Sequence, residues 1–187
     1  DLDHRAKAFE KVRREKPFCV IGSPPCTKFS LLQELTIARK WNDPVWMAKH
    51  ERELAEAKGH IEFCVLLYRH QLRNGRHFLH EHPWSARSWK MPCIQDLMRE
   101  SGVRLVETHM CRFGMTMKVD GEKLKIYKPT RWMSNSPCVL DVMNKQCTRD
   151  HPHVHLQRGL AKAAAIYQPE LCLSIIRGIK EQLRSEE

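Results

Sequence analysis

The chain lacks any long hydrophobic run. Among its 187 residues, no apolar stretch approaches the roughly 20 residues that a helix needs to cross a bilayer. No basic and then apolar signal-peptide pattern opens the chain either. These absences predict a protein with no membrane partner that stays inside the cell, and in the nucleus if its source is eukaryotic.

The chain also lacks a dense cysteine framework, an internal repeat and a low-complexity linker. Its 8 cysteines are widely spaced, unlike the disulfide pattern of small secreted domains. Hydrophobic residues make up 42% and charged residues 29% of the sequence, which is typical of a globular protein. We therefore predict a single domain over residues 1–187. It begins at Asp1 rather than Met, so we expect it to be a fragment of a longer chain.

Positive charge is what the chain has in excess. It contains 32 Lys and Arg against 22 Asp and Glu, a net charge of +10 with histidines neutral. Such a balance favours a polyanionic partner, nucleic acid first. DNA is the expected partner, RNA remains an alternative, and the sequence leaves the oligomeric state open.

Hydrophobic periodicity predicts strands and helices in alternation. In the first part we expect helices over 3–16, 45–73 and 85–101, strands over 18–21, 76–80 and 103–108, and a polar connection over 31–44. The second part predicts a hairpin around Asp120-Gly121, a strand over 128–135, a Cys- and His-rich loop over 138–155 and a last helix over 159–184 that is interrupted near Pro169. This order predicts an α/β fold with a mainly parallel sheet flanked by helices.

Cys26 follows the first predicted strand and two prolines. Each proline fixes φ near −65° and lacks an N–H, so the chain leaves the sheet as a stiff loop. Ligands and catalytic groups collect at the carboxyl ends of parallel strands. A thiol presented there is placed to act as a nucleophile if its pKa is lowered. The alternative is an ordinary cysteine at the edge of the core after a Pro-Pro turn.

Glu81 follows the second predicted strand in the same way, with Pro83 closing the string. Neighbouring parallel strands would bring Glu81 and Cys26 to the same edge of the sheet. The alternative is a carboxylate that pairs only with nearby basic side chains, for which His80, His82 and Arg87 are candidates.

Two strings carry a resemblance to a known family. Gly22-Ser23-Pro24-Pro25-Cys26-Thr27-Lys28-Phe29-Ser30 resembles the catalytic loop of the cytosine-C5 DNA methyltransferases, where Pro-Cys is usually followed by Gln-x-Phe-Ser. Glu81-His82-Pro83 resembles the family's Glu-Asn-Val or Glu-Asn-Pro element, with His82 in the asparagine position. Thymidylate synthases also contain Pro-Pro-Cys, but a resemblance to them would leave Glu81-His82-Pro83 and the basic charge unexplained.

Two further strings fit the family less specifically. Lys128-Pro129-Thr130-Arg131-Trp132 occupies the place of its arginine-rich strand, and the segment 158–171 resembles its last element. The similarity is nearest to divergent methyltransferase-like domains of mobile-element reading frames. The family's Phe-x-Gly-x-Gly loop, which holds S-adenosylmethionine, is not found, and we expect it before residue 1.

The resemblance implies a Rossmann-like methyltransferase core that methylates cytosine C5 in DNA, with S-adenosylmethionine as cofactor and a covalent cysteine adduct. Cys26 would be the nucleophile, Glu81 the acid at N3 and Arg131 the cation that holds the base. The implied substrate-binding residues are Pro25, Thr27, Ser30, His82 and Arg87, and the implied cofactor-binding residues are Ser23 and Pro24. Thr27, His82 and the missing glycine loop favour the alternative, an inactive methyltransferase-like module that binds nucleic acid.

The Cys- and His-rich loop predicts a metal site. Cys147, His151 and His153 have a spacing compatible with zinc ligation, and Cys138 would complete four ligands. No Cys-x-x-Cys pair strengthens this pattern. The alternatives are a solvated loop, or a strand whose alternate histidines face DNA phosphates.

Overall fold

Helices and strands follow one another in both parts of the chain. The computed structural model describes residues 2–119, 121–155 and 164–187. The chain divides into two compact units, Asp1–Val103 and Arg104–Glu187. Each contains helices and strands, which confirms the predicted mixed α/β class. The start of the predicted last helix, residues 158–163 of the segment 158–171, and Asp120 lie outside the described residues.

The first unit is built around one long helix. Its helices are α1 (Leu2–Glu15), α2 (Leu32–Lys40), α3 (Pro44–Arg73) and α4 (Pro92–Met98). Asp43 caps the start of α3, where its Oδ1 accepts a hydrogen bond of 2.9 Å from the Trp46 N–H. Pro44 takes the first helical position, where its missing N–H costs nothing. The long helix was therefore predictable from its periodicity and its cap.

Two parallel strands carry the predicted loops of the first unit. They are β1 (Cys19–Gly22) and β2 (His77–Pro83), paired from Cys19 opposite His77 to Gly22 opposite His80. The α3 residues Ile61 and Tyr68 are fully buried, and the Tyr68 ring stacks on Phe78 of β2 with centroids 4.6 Å apart. This pairing confirms that the segments after β1 and β2 leave from the same edge.

The described residues of the second unit form five strands and two α-helices. The strands are β3 (Arg104–His109), β4 (Thr116–Val119), β5 (Glu122–Tyr127), β6 (Pro129–Ser134) and β7 (His153–His155), and the helices are α5 (Pro137–Met143) and α6 (Pro169–Glu186). β3 pairs with β6 and β4 with β5 in antiparallel fashion, whereas β5 pairs with β7 in parallel. Helices α5 and α6 approach closely at Gly178, where an added Cβ would lie 2.8 Å from the Cα of Val139.

The prediction of a mainly parallel sheet is wrong, because the paired residues of the described strands are mostly antiparallel, with some parallel pairs. Antiparallel pairs occur beside the parallel ones, partly because the connection at Gly121 is too short for a crossover and forces β4 and β5 into a hairpin. Gly121 has φ +86°, which suits a tight turn and a residue without a Cβ. A Rossmann-like core stays a prediction.

Three local predictions were wrong. The polar connection over 31–44 contains α2, and the loop over 138–155 contains both α5 and β7. The helix predicted over 85–101 is a 3₁₀ turn, Arg87–Lys90, followed by the short α4. Met91 has extended φ −65° and ψ 137° between them, because the residue before a proline is pushed out of the helical region.

Candidate active site and candidate metal centre

The Cys26 loop and Glu81 are joined directly in the first unit. The Ser23 hydroxyl, one residue beyond β1, donates a hydrogen bond to Glu81 Oε2. The parallel register accounts for this contact. Its last pair is Gly22 opposite His80, and Ser23 and Glu81 are the next residues along the two chains. Glu81 is only 5% exposed, so its carboxyl group is held inside the protein at the start of the loop that presents Cys26.

His82 fixes the same loop from the other side of Glu81. Its Nε2 lies 3.0 Å from the carbonyl oxygen of Pro24, and its Nδ1 lies 2.6 Å from the Ser88 hydroxyl. Because a carbonyl only accepts, Nε2 carries the hydrogen and Nδ1 accepts from Ser88. Burial lowers the pKa of His82, against the opposing effects of Glu81 and of the Pro24 hydrogen bond. The fully buried imidazole of His82 is therefore neutral, and it holds the main chain at Pro24 in place.

Cys26 lies between two anchored points of its loop. It is half-buried and precedes the 3₁₀ turn Thr27–Phe29, where its carbonyl oxygen accepts a 2.9 Å hydrogen bond from the Phe29 N–H. The buried Phe29 ring lies 5.7 Å from the ring of His82, and Lys28 forms an ion pair with Glu53 of α3. The loop is thus fastened before Cys26 at Pro24 and after it at Lys28 and Phe29.

The other predicted substrate residues are more exposed. Pro25 and Thr27 are exposed beside Cys26. The Ser30 hydroxyl accepts from the Leu32 N–H at 3.3 Å, at the start of α2. Arg87 Nη1 lies 3.4 Å from Glu34 Oε1, and both side chains are about half exposed. Their roles toward a substrate stay predictions.

A buried polar pair behind the loops was missed by sequence reasoning. The Tyr68 hydroxyl lies 3.0 Å from His80 Nδ1, and His80 is fully buried. Burial, followed by the nearby His82, lowers the pKa of His80 to about 3. The signal was a histidine on the buried face of a strand, but its tyrosine partner comes from α3 and no local pattern indicates it.

Arg131, the predicted base-holding cation, belongs to the second unit. It is half-buried in β6, where it stands opposite Glu107 of β3 in the antiparallel register. The role taken from the resemblance stays a prediction.

Four donor side chains of the second unit converge on one point. Cys111, Cys147, His151 and His153 each offer one ligand atom, and these atoms all lie within 4.8 Å of one another. Cys147 Sγ lies 3.5 Å from His151 Nε2 and 3.4 Å from His153 Nε2. Burial, and after it the neighbouring Cys147 thiol, raises the pKa of Cys111 to about 11. Two sulfur and two imidazole donors can together hold a metal ion.

The predicted fourth ligand, Cys138, is not a member of this group. It lies in the first turn of α5, where its N–H donates to Gln182 Oε1 at 3.2 Å. Cys111 takes its place, from the short turn Met110–Phe113 that follows β3. Sequence spacing grouped Cys147 with His151 and His153 correctly. It missed Cys111 because only tertiary folding brings that distant residue to the group.

No helix in the described part of the chain is long and apolar enough to span a bilayer. Comparison of the chain with protein-family models, curated proteins and solved structures gives no match. The features that characterise the molecule are therefore those of its own structure: a mixed α/β architecture, a cysteine loop hydrogen-bonded to a buried glutamate, and a Cys/His group. The family resemblance of the Cys26 and Glu81 strings stays a prediction.

Proposed function

We propose that the first unit acts on cytosine in DNA through Cys26 as nucleophile and Glu81 as acid, the chemistry of cytosine-C5 methylation. The observation that carries this proposal is the hydrogen bond from Ser23 to Glu81. It supports a single site because the two loops that the chemistry needs are tied together at one edge of a parallel strand pair. RNA cytosines are a further substrate to test.

The chemistry requires both groups. The Cys26 thiolate forms a bond to C6 of the base, the C5=C6 double bond breaks, and its electron pair moves into the ring toward C4 and N3. Glu81, as a carboxylic acid, donates its proton at N3 and so neutralises the charge that develops there. C5 thereby becomes a nucleophile. After C5 has taken up a new substituent and lost its hydrogen as a proton, the thiolate is expelled and the double bond is restored.

A base inside a duplex hides C6 from a protein thiolate, so the target cytosine has to be flipped out of the stack. The hydrogen bonds and contacts that hold the Cys26 loop suit such a reaction, because the base then moves toward a nucleophile that stays in place. His82 contributes by holding the Pro24 carbonyl, and it acts as a positioning residue.

S-adenosylmethionine, which the resemblance implies, would supply the methyl group to C5. Of the residues predicted to bind it, the Ser23 hydroxyl donates to Glu81 and the Pro24 carbonyl oxygen lies against His82. The role of these two residues toward the cofactor stays a prediction. The proposal assigns no residue to the cofactor and covers the activation of the base.

Hydrogen exchange at C5 tests the proposal without a cofactor, because an activated C5 picks up a deuteron from solvent. The chain is incubated with a cytosine-containing duplex in D₂O, and deuterium at C5 is measured by mass spectrometry of the released nucleosides. We expect exchange by the unaltered chain and none above background for Cys26→Ser. Glu81→Gln should slow exchange by about a hundredfold or more, as for the loss of a general acid.

Cys93→Ser is the matched control, since Cys93 is another half-buried cysteine of the same unit, located in α4. It should leave exchange unchanged. Single-stranded DNA and RNA serve as parallel substrates. A chain that binds these nucleic acids but exchanges no C5 hydrogen, or a Cys26→Ser variant that exchanges normally, would refute the assignment of Cys26.

The Cys/His group favours a second candidate function, a basic nucleic-acid-binding module that bears zinc. The net charge of +10 supports it, because neutralised phosphates provide most of such affinity. DNA binding together with bound metal, and without C5 exchange, would favour this module over the enzyme.

A further inference from the structure

The distances from Cys147 to the two histidines of the Cys/His group fit a tetrahedral ion. Zinc lies about 2.3 Å from a thiolate sulfur and about 2.0–2.1 Å from an imidazole nitrogen. Tetrahedral angles then separate a sulfur from a nitrogen by about 3.5–3.6 Å. Cys147 Sγ lies 3.5 Å and 3.4 Å from the Nε2 atoms of His151 and His153. The pairs are thus already at ligand separation.

A carboxylate orients His151 for such an ion. Its Nδ1 lies 2.5 Å from Asp150 Oδ1 and 3.3 Å from Lys125 Nζ. A carboxylate only accepts, and its contact is the shorter, so Nδ1 carries the hydrogen. The lone pair of His151 is therefore on Nε2, the atom that faces Cys147. A histidine that donates its second ring hydrogen to a carboxylate is the usual outer-shell arrangement at a metal site.

Two hydrogen bonds from backbone N–H groups hold Cys147 in place. The Arg149 N–H donates to Cys147 Sγ at 3.2 Å, and the Cys147 N–H donates to His109 Nδ1 at 2.8 Å. Because His109 Nδ1 accepts, its Nε2 carries the hydrogen and donates to Glu107 Oε1 at 3.1 Å. Cys147 is thus fastened to the end of β3, next to the turn that carries Cys111.

We propose that Cys111, Cys147, His151 and His153 form a closed structural Zn²⁺ site, with Asp150 and His109 as its outer-shell supports. Four protein ligands leave no open position for a substrate, which distinguishes a structural from a catalytic zinc. The ion would tie the turn after β3 to the segment that contains β7. This inference deepens the zinc-bearing second candidate and is independent of Cys26 and Glu81.

Metal content and a cobalt spectrum test the site directly, with Zn²⁺ and Co²⁺ alone as probes. Elemental analysis of the purified full chain should find about one zinc per chain. Co²⁺ in its place should give the intense visible bands of tetrahedral cobalt together with thiolate charge-transfer absorption. Cys111→Ser should lose the charge-transfer intensity of one thiolate and bind zinc more weakly, whereas Cys138→Ser, the matched control from α5, should retain both properties.

Asp150→Asn keeps the test decisive if Cys111→Ser fails to fold, because the Asp150 side chain is 69% exposed and all four ligands remain. Loss of an outer-shell carboxylate should weaken zinc binding by about 10–100-fold. The proposal is overturned if the unaltered chain binds no zinc or if Cys138→Ser loses the metal while Cys111→Ser keeps it. A zinc affinity unchanged in Asp150→Asn would remove Asp150 from the site. DNA binding and C5 exchange enter none of these outcomes, so either proposal can fail alone.

Discussion

Gly22 is the position where one methyl group should do most damage to the first unit. A Cβ added there would lie 1.8 Å from the Tyr68 hydroxyl oxygen and 2.9 Å from Tyr68 Cζ. Tyr68 cannot move aside easily, because it is fully buried, stacks on Phe78 and bonds to His80. Gly22→Ala therefore has to displace either a core aromatic ring or the end of β1.

The expected loss of stability has two parts. Overpacking a well-filled core typically costs about 1–3 kcal/mol. If the ring moves, the buried His80 Nδ1 also loses its partner, and an unsatisfied buried group costs about 1–3 kcal/mol more. Gly22→Ala should therefore lower the free energy of unfolding by about 1–3 kcal/mol if the end of β1 moves, and by about 2–6 kcal/mol if the ring moves. Tyr68→Phe removes the atom that is 1.8 Å away, so the alanine should cost clearly less in that background.

Urea denaturation followed by tryptophan fluorescence measures these differences. Gly59→Ala is the matched control in the same unit, because its Cβ would meet only the flexible guanidinium of Arg5, at 3.1 Å. Alanine also favours the helix interior by about 1 kcal/mol over glycine, so the control should be neutral or stabilising. If Gly22→Ala costs no more than Gly59→Ala, or costs the same in the Tyr68→Phe background as in the unaltered chain, the close approach to Tyr68 is not what requires glycine.

Two further predictions concern pH and salt. The pKa of His80 falls from 6.5 to about 3 on folding, so below pH 6.5 the unfolded chain binds a proton that the folded chain refuses. Stability should fall as the pH drops from 6.5, by about 2 kcal/mol at pH 5, and His80→Asn should flatten this slope in urea denaturation; an equal slope in the variant would contradict it. The net charge of +10 predicts DNA binding that weakens at least about tenfold between about 50 and 200 mM salt, and a salt-independent affinity in fluorescence anisotropy would count against nucleic acid as the partner.

The parts of the fold that could be predicted are those with local causes. The long helix α3 follows from its periodicity and its Asp43 cap, and β1 and β2 follow from short apolar runs closed by turn residues. Helix α2 escaped prediction although Leu32, Leu35 and Ala38 recur at three-residue steps, because its nine residues are fewer than the window of about 11–18 residues over which a helical period is recognised.

The candidate sites divide in the same way. The meeting of Glu81 with the Cys26 loop could be predicted, because parallel strands deliver their carboxyl ends to one edge. The roles of Ser23 and His82 in joining the loops depend on strand register, which the sequence pattern of two short buried strands specifies weakly. Cys111 depends on the folding of the whole second unit, so sequence spacing chose Cys138 instead.

The close approach of α5 and α6 limits the mutations that the gene can accumulate. A Cβ at Gly178 would meet the Val139 Cα at 2.8 Å and the Cys138 carbonyl oxygen at 3.0 Å, and backbone atoms cannot rotate away as a side chain can. Every missense change of a glycine codon adds a Cβ, so no single-nucleotide substitution that alters this residue is conservative. The helices would have to separate, which would strain the hydrogen bonds from Ser136 and Cys138 to Gln182. Among random variants of the gene, codon 178 should therefore tolerate synonymous changes but no change that replaces the glycine.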